Sequence, residues 1–466
     1  MVQSNILVIL IDDMGWRDLG CYESSFYETP NIDGLAETGM RFTDAYSACP
    51  VCSPTQASIM TGKYPARLGL TDFIGGSAKG KLLPAPYIRE LPADECTLAQ
   101  ALHEGGYQTF HVGKWHLGPE RTWPERRGFD VNVAGCDWGM PKSYFSPYDN
   151  PRLANGPDGE YLTDRLTSEA ITLLETRGTE PWFMYFACYA VHIPIRVPKH
   201  YVEKYEDKSK HLGLHGKKPF DAGEHFPTIE KRVQRVKRRL FQSDSAYAGM
   251  IENLDENVGR LMQAIERIGR TKDTVVIFTS DNGGLATAEG SPTSNAPLAE
   301  GKGWMFEGGT RVPLIVNWPG HVKLGTCHEP VCSPDFYPTL LEMAGLDARP
   351  EQHVDGTSLV PLLEGDGMND HAPLFWHYPH YGNQGGSPAC AIRAGDQKLI
   401  EFYEGDHVEL YNLANDIEEQ VDIAKVDTDA TSRMTSALHD WREAVHAKLP
   451  TQNPSFTRGW RRLFGR

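Results

Sequence analysis

Two short acidic clusters follow apolar runs of strand length in this sequence. Asp12 and Asp13 come directly after NILVILI, and Asp281 and Asn282 follow TVVIFTS. If the three carboxylates and the amide are brought together, the carboxylates repel one another, and this raises their pKa values unless a cation lies between them. Hard oxygen ligands without His or Cys in the set favour Ca²⁺ or Mg²⁺ over Zn²⁺. The pair of clusters therefore predicts an oxygen-rich metal site, although each motif alone is also typical of an ordinary turn.

Lysine and histidine side chains follow other apolar runs. The motif GKWHLG holds Lys114 and His116 two positions apart, so an extended backbone directs both to one side. A lysine can bind the oxygens of an anion, and a nearby histidine can orient or deprotonate a nucleophile. His192, in AVHIP, and Lys302, in a glycine-rich loop, are further candidates, although each alone is more often structural or solvent-facing.

A cysteine pair lies in CPVCSPTQASIMTGKYPARLG, residues 49 to 69. Such a pair is found in zinc and redox sites, but no second CxxC completes a tetrahedral zinc site. A thioredoxin-like role would imply a much smaller fold. We interpret most of the nine cysteines as reduced, buried residues, because a chain of 466 residues does not need a disulfide scaffold.

The apolar runs indicate a buried parallel sheet. They are near-continuous rather than alternating, which is typical of strands covered on both faces. A helical stripe separates two of them at residues 243–269. Strands that alternate with helices predict an α/β fold with a large, mostly parallel, doubly wound sheet, and ligands bind outside the carboxyl ends of such strands. The predicted strands lie within residues 5–13, 107–118, 182–194, 273–284 and 312–320.

The pattern changes near residue 370. Residues 390–405 and 407–424 have the character of short antiparallel strands, and residues 427–448 that of a closing helix. We predict a catalytic domain at residues 1–370 and a small C-terminal α+β domain, an antiparallel sheet with its helix, at residues 371–466.

Composition excludes some partners. A formal net charge of −16 argues against nucleic acid, which requires a basic face. No apolar run approaches the roughly 20 residues of a membrane span, so no membrane partner is expected. The first apolar stretch lacks a basic leader and a cleavage site. We therefore expect a cytoplasmic protein as the sequence stands, or a periplasmic or secreted one if a leader has been removed.

Motifs along nearly the whole chain resemble those of the type I sulfatases of the alkaline phosphatase superfamily. The resemblance implies an alkaline phosphatase-like fold and hydrolysis of sulfate monoesters. It also implies a formylglycine nucleophile, made from Cys52 by a formylglycine-generating enzyme, beside one Ca²⁺. The motifs include NILVILIDDMGWRDLGCYE, CSPTQASIMTGKYPARLG, YQTFHVGKWHLG, FTSDNGG and FEGGTRVPLIVNWPG.

The resemblance also implies roles for single residues. Lys114 and Lys302 would bind the sulfuryl oxygens, His192 and Lys302 would assist the leaving alcohol, and His116 would take a proton from the modified Cys52. The implied calcium ligands are Asp12, Asp13, Asp281, Asn282 and the modified Cys52.

Gln56 departs from the family pattern, which has Arg at this position. The family Arg helps the modifying enzyme to recognise the Cys and braces the formylglycine, whereas Gln lacks the charge and the planar fork. Because the other family residues are all present, we expect an active sulfatase. The alternatives are a phosphate or phosphonate ester hydrolase, and a catalytically silent binder of sulfated glycans.

Two further segments bear on the substrate, which we expect to be a sulfated small molecule or glycan. Residues 375–386, FWHYPHYGNQGG, could line a sugar subsite or pack at a domain contact. Residues 199–240 are rich in Lys, His and Arg, which predicts either an exposed helix in a surface insertion or a basic lip that attracts a polyanion.

Overall fold

The computed structural model describes residues 3–176, 180–367 and 372–456. The strands are β1 (Asn5–Ile11), β2 (Met40–Phe42), β3 (Ala45–Tyr46), β4 (Leu82–Leu83), β5 (Gln108–Gly113), β6 (Val131–Val133), β7 (Trp182–Ala187), β8 (Phe220–His225), β9 (Arg235–Arg239), β10 (Thr274–Ser280), β11 (Leu314–Asn317), β12 (Gly325–Cys327), β13 (Val331–Cys332), β14 (Leu374–Tyr378), β15 (Ala389–Ala394), β16 (Gln397–Phe402), β17 (His407–Asn412) and β18 (Thr451–Gln452). The α-helices are α1 (Pro30–Glu37), α2 (Cys52–Thr61), α3 (Pro65–Leu68), α4 (Leu98–Glu104), α5 (Leu162–Thr176), α6 (Lys199–His211), α7 (Ser245–Arg267), α8 (Glu307–Thr310), α9 (Phe336–Met343), α10 (Val360–Glu364) and α11 (Thr428–Ala444).

An eight-stranded sheet forms the centre of the molecule, in the order β12-β2-β11-β10-β1-β7-β5-β6. Strand β1 is parallel to both β10 and β7, and β5 is parallel to both β7 and β6. Strand β11 runs antiparallel to β10 and β2. The predicted large, mostly parallel sheet is confirmed, and the five predicted strands correspond to β1, β5, β7, β10 and β11.

Both faces of this sheet are buried, which explains its continuous apolar runs. In β1, Leu7 and Ile9 pack into a core that includes residues of α5 and α7, whereas Ile6 and Val8 pack into a second core with residues of α2, α4 and α9. The predicted helix at 243–269 is α7, and Asp244 caps it by accepting hydrogen bonds from the first-turn N–H groups.

The C-terminal region contains a four-stranded antiparallel sheet, in the order β14-β15-β16-β17. Helix α11 packs on it through Met434 and Leu438, which contact Ile392 and Leu399 in one apolar cluster. The predicted antiparallel sheet and closing helix are confirmed. The predicted domain boundary at 370/371 lies outside the described residues.

The surface segment at 199–240, for which the sequence analysis gave an exposed helix as one of two alternatives, is helical only in part. Helix α6 covers only its first part, and β8 and β9 form an antiparallel hairpin in the second part. The reason is visible at Val236, which is fully buried between the exposed Arg235 and Lys237. This alternation suits a strand that is covered on one face.

Among the described residues, no helix is long and apolar enough to cross a membrane. All nine cysteines have free thiols, and six of them are buried.

A buried ion cluster joins the C-terminal sheet to α8. The Lys398 ammonium lies 2.8 Å from Glu307 and 3.0 Å from Glu419, and all three side chains are fully buried. The Glu419 carboxylate also accepts a hydrogen bond from the Glu307 N–H. Because α8 follows the loop of Lys302, this cluster fixes the position of that loop relative to the C-terminal sheet.

We expect Lys398→Met to destabilise the fold by about 3–5 kcal/mol, because it leaves the buried Glu419 carboxylate without its cation and leaves Glu307 with the more distant Arg311, at 3.5 Å. Burial already raises the pKa of Glu419 to about 7. The folded state would therefore take up protons, and the loss of stability should be smaller at pH 5 than at pH 8. Urea unfolding at both pH values measures this effect. The exposed Lys425→Met is the control, and equal losses for the two variants would contradict the prediction.

Candidate active site

Four neighbouring strands of the central sheet deliver the candidate residues to one edge. In the order β10-β1-β7-β5, their carboxyl ends lead to Asp281, Asp12, His192 and Lys114. Asp13 and His116 have positive φ angles of 64° and 52°. Left-handed backbone is costly for residues with a Cβ atom and is concentrated at functional sites.

Two lysines and three carboxylates form a buried charge cluster. Lys114 Nζ lies 2.7 Å from Asp12 Oδ2 and 3.8 Å from Asp281 Oδ2. Lys302 Nζ lies 2.7 Å from both carboxylate oxygens of Asp13. The Asp13 N–H donates to Asp281 Oδ1 at 3.1 Å, which joins the two halves of the cluster.

Burial and pairing set the charges of this cluster. Burial raises the pKa of Asp12 and of Asp281, although Lys114 opposes it in both cases. Burial also acts to raise the pKa of Asp13, but Lys302 and its other cationic neighbours outweigh it and hold that pKa at about 2. The carboxylates outweigh burial at both lysines and raise their pKa values. Both lysines are therefore charged at neutral pH.

Three buried oxygens at the site have no hydrogen-bond partner among the described residues. They are Asp12 Oδ1, Asn282 Oδ1 and Gln56 Oε1. Unpaired buried acceptors are costly, and a hard cation satisfies such oxygens. The donor set of carboxylate and amide oxygens therefore fits a calcium ion. His192 also approaches, because its Nε2 atom lies 3.5 Å from Asp13 Oδ2.

Cys52 begins helix α2 and faces His116. Its Sγ atom lies 3.3 Å from His116 Nδ1, and the side chain is buried. Burial raises the pKa of the Cys52 thiol to about 11, so the unmodified thiol is protonated at neutral pH. Burial lowers the pKa of His116 well below its usual value, which leaves the imidazole neutral and able to accept a proton.

Gln56 lies one helical turn after Cys52. Its Nε2 atom donates to Asp281 Oδ2 at 3.2 Å, so the amide braces one of the clustered carboxylates. His192 lies on the other side of the cluster, with its Nε2 atom 3.0 Å from Lys302 Nζ. Burial, assisted by Lys302, lowers the pKa of His192 to about 3. The structure therefore brings all the sequence-predicted site residues into one cluster.

A cavity of about 440 Å³ opens onto Cys52, His116, His192 and Lys302. Its volume is within the range of small-molecule sites. The sequence did not indicate most of its outer wall, which comes from irregular segments without catalytic residue types. The further lining residues are Val51, Phe73, Ile74, Trp138, Gly139, Met140, Pro141, Lys142, Ile193, Glu289, Asn383 and Gln384.

The aromatic segment at 375–386 reaches this cavity only through Asn383 and Gln384. Trp376 and Tyr378 are buried in the apolar cluster under the C-terminal sheet. Packing at a domain contact is therefore the correct alternative for these aromatic residues. Within this segment, only the two amide side chains line the cavity. A different aromatic residue, Trp138, lines the cavity. Lys142 Nζ lies 4.4 Å from the centre of its ring.

Gly139 lies directly against the His116 ring. A Cβ atom at Gly139 would lie 2.5 Å from His116 Cε1. The same segment is anchored by the His116 N–H, which donates to the Cys136 carbonyl at 3.0 Å. Only glycine therefore allows this segment to contact the imidazole without displacing it.

We expect Gly139→Ala to lower kcat about tenfold or more, because a misplaced catalytic group loses rate steeply. Steady-state kinetics with a small aryl sulfate measure this change. Gly34→Ala is the matched control, because a Cβ atom at Gly34 meets nothing within 4 Å. If Gly139→Ala kept the full kcat, the contact with His116 would have no role in positioning.

Comparison with known proteins gives consistent matches. A family model described as "Sulfatase" matches residues 4–346, and one described as "N-sulphoglucosamine sulphohydrolase, C-terminal" matches residues 300–447. N-acetylgalactosamine-6-sulfatase of Mus musculus is 32% identical over 401 residues, which cover 80% of this chain and 68% of the relative. Arylsulfatase A of Homo sapiens is 32% identical over 434 residues, which cover 86% of this chain and 75% of the relative.

Solved structures match over almost the full length. The crystal structure of Ps i-CgsB in complex with k-i-k-neocarrahexaose has a TM-score of 0.75 and 28% identity, and the match covers 99% of this chain and 97% of that chain.

Proposed function

Because the chain belongs to the sulfatase family and is a sulfuric ester hydrolase, we propose that it removes sulfate from a carbohydrate with a formylglycine at Cys52 and one calcium ion. The observation that carries this proposal is the contact between Cys52 and His116 at the floor of the cavity, beside the charge cluster. The carbohydrate class is supported by relatives, one named for N-acetylgalactosamine 6-sulfate and another crystallised with neocarrahexaose.

The charge cluster provides for binding of the sulfate group. Lys114 and Lys302 are the permanent cations that face Cys52, and they would bind sulfuryl oxygens and offset charge as it develops in the transition state. When present, calcium supplies further positive charge, and formylglycine supplies a hydrated aldehyde whose hydroxyl is the nucleophile. Asp12, Asp13, Asp281, Asn282 and the modified residue 52 would hold the metal.

The two histidines provide for proton transfer at opposite sides of the site. The Lys302 ammonium would supply the proton to the leaving sugar oxygen, and the neutral His192, 3.0 Å from Lys302 Nζ, would orient that ammonium. His116, next to Cys52, would accept the proton that is released when the nucleophile is regenerated. The neutral imidazole of His116 suits a group that accepts a proton, and the charged ammonium of Lys302 suits a group that donates one.

Gln56 is expected to tighten cation binding. An Arg at this position would add a positive charge beside Asp281, whereas the amide braces the carboxylate without adding charge. We expect Gln56→Arg to weaken calcium binding by about tenfold, because the added charge repels the ion in a buried site. A calcium titration of the thermal midpoint measures this affinity. Gln56→Met is the neutral control. If Gln56→Met weakened calcium binding as much as Gln56→Arg, the added charge would not be the cause.

The test of the proposed function compares 4-nitrophenyl sulfate with 4-nitrophenyl phosphate at equal concentrations. We expect kcat/KM for the sulfate to be higher by about 100-fold. A preference for the phosphate would favour the alternative of a phosphate or phosphonate ester hydrolase. Absence of turnover with both, together with salt-sensitive binding of sulfated glycans, would favour the silent binder.

A further inference from the structure

We propose that residues 217–239, here called the basic hairpin, bind the anionic sugar chain that extends from the cavity, so that the substrate is a sulfated oligosaccharide or polysaccharide. The inference rests on the proposed function and adds a second binding surface to it. The basic hairpin comprises β8, β9 and their flanking residues.

The charge of the basic hairpin is opposite to that of the chain. It contains eight Lys and Arg residues and three Asp and Glu residues, a net charge of +5, in a protein with a net charge of −16. A local patch of one sign attracts ligands of the other sign, and its effect decreases with salt. An acidic protein that carries such a patch beside its site is suited to an anionic ligand.

Most of these cations are free of carboxylates. Arg238 pairs with Glu224 and Glu300, and the buried Arg239 lies 3.3 Å from Asp244. The other six form no ion pair among the described residues, and Lys231 and Arg235 donate only to backbone carbonyls. The six are Lys217, Lys218, Lys231, Arg232, Arg235 and Lys237.

The basic hairpin is fixed beside the cavity rather than held at a distance. Val236 packs with Phe226 and Trp304, and Trp304 lies two residues after Lys302. Lys231 Nζ donates to the carbonyl of Asn383, a residue that lines the cavity, at 2.8 Å. A packed apolar contact and a hydrogen bond from Lys231 therefore hold the basic hairpin against segments that flank and line the cavity.

The geometry of β9 favours an extended ligand. Arg235 and Lys237 are exposed on one face of the strand, opposite the buried Val236. Residues two apart along a strand are separated by roughly 7 Å. Charges spaced in this way fit a chain that carries repeated sulfate or carboxylate groups better than a single sulfated monosaccharide.

The test uses the triple variant Arg232→Gln/Arg235→Gln/Lys237→Gln. The control is the triple variant Lys272→Gln/Lys425→Gln/Arg433→Gln, which removes three exposed cations outside the basic hairpin. Both are made in full-length protein that also carries Cys52→Ala, so that ligands are bound without turnover. Fluorescence anisotropy then measures binding of labelled k-i-k-neocarrahexaose, a chondroitin sulfate hexasaccharide and a heparin hexasaccharide.

We expect the hairpin variant to bind the tightest of these hexasaccharides about tenfold more weakly and with a smaller salt dependence, and the control to be unchanged. Equal effects in the two variants, binding of none of the hexasaccharides, or equally tight binding of single-stranded DNA would overturn the proposal. In proteins with Cys52 intact, 4-nitrophenyl sulfate turnover should be the same for wild type and hairpin variant. If the wild-type protein did not hydrolyse 4-nitrophenyl sulfate at all, the result would refute the proposed function rather than the role of the basic hairpin.

Discussion

Cys52→Ala is expected to lower kcat by about 10⁴-fold or more, the loss typical of removing a nucleophile from a preorganised site. The variant keeps the charge cluster and the cavity, so binding of a sulfated ligand should persist while turnover disappears. The side chain at residue 52 is small and buried, so the fold should tolerate its truncation to Ala with a small loss of stability. Measurement of kcat with 4-nitrophenyl sulfate and of the thermal midpoint separates these effects.

The control for this prediction is Cys390→Ala. Cys390 is also a buried free thiol, but it lies in β15 of the C-terminal sheet. The Cys390→Ala variant should lose some stability and retain the wild-type kcat. If Cys52→Ala retained substantial turnover, the nucleophile would have to be another group, and the proposed mechanism would be wrong.

Asp12→Asn is expected to weaken calcium binding by about 100-fold and to lower kcat/KM by about 10³-fold at limiting calcium. The change removes one anionic ligand, and the charge count of the ligands sets calcium affinity. It also removes the negative charge 2.7 Å from the buried Lys114 ammonium. Isothermal titration with Ca²⁺ measures the affinity without reference to activity, and chelation of the wild type with EGTA should abolish turnover reversibly.

Asp335→Asn provides the control for this prediction. Asp335 directly precedes α9 and accepts hydrogen bonds from the N–H groups of Cys332 and Thr357, and burial raises its pKa to about 7. Its replacement should lower stability without changing calcium affinity. If Asp12→Asn bound calcium as tightly as the wild type, Asp12 would not be a ligand.

The central sheet could be predicted from sequence because its strands are buried on both faces. A run such as ILVILI, residues 6 to 11, has no polar position, so it indicates a covered parallel strand, and the polar residue that follows marks its carboxyl end. The same logic predicted which side chains would meet, since Asp12, Lys114 and Asp281 follow strands that lie close together in the sheet.

The cavity wall could not be predicted in this way. Trp138 and Lys142 belong to an irregular segment, and its approach to the site depends on the contact of Gly139 with the His116 ring. No periodicity encodes such a contact, because it arises from tertiary packing.

For the basic hairpin, the helix alternative of the sequence analysis is wrong for a related reason. Its charge run indicated a solvated helix, but one buried valine and its apolar partner Trp304 stabilise a strand. Tertiary packing thus overrode the local charge pattern.

We propose that Cys52 is converted to formylglycine although residue 56 is Gln, where the family resemblance implies Arg. The direct measurement is mass spectrometry of the tryptic peptide Phe42 to Lys63, from protein made in its native host. We expect residue 52 to be found as the aldehyde, or as its hydrate. A peptide that carries only an unmodified thiol at residue 52 would contradict it.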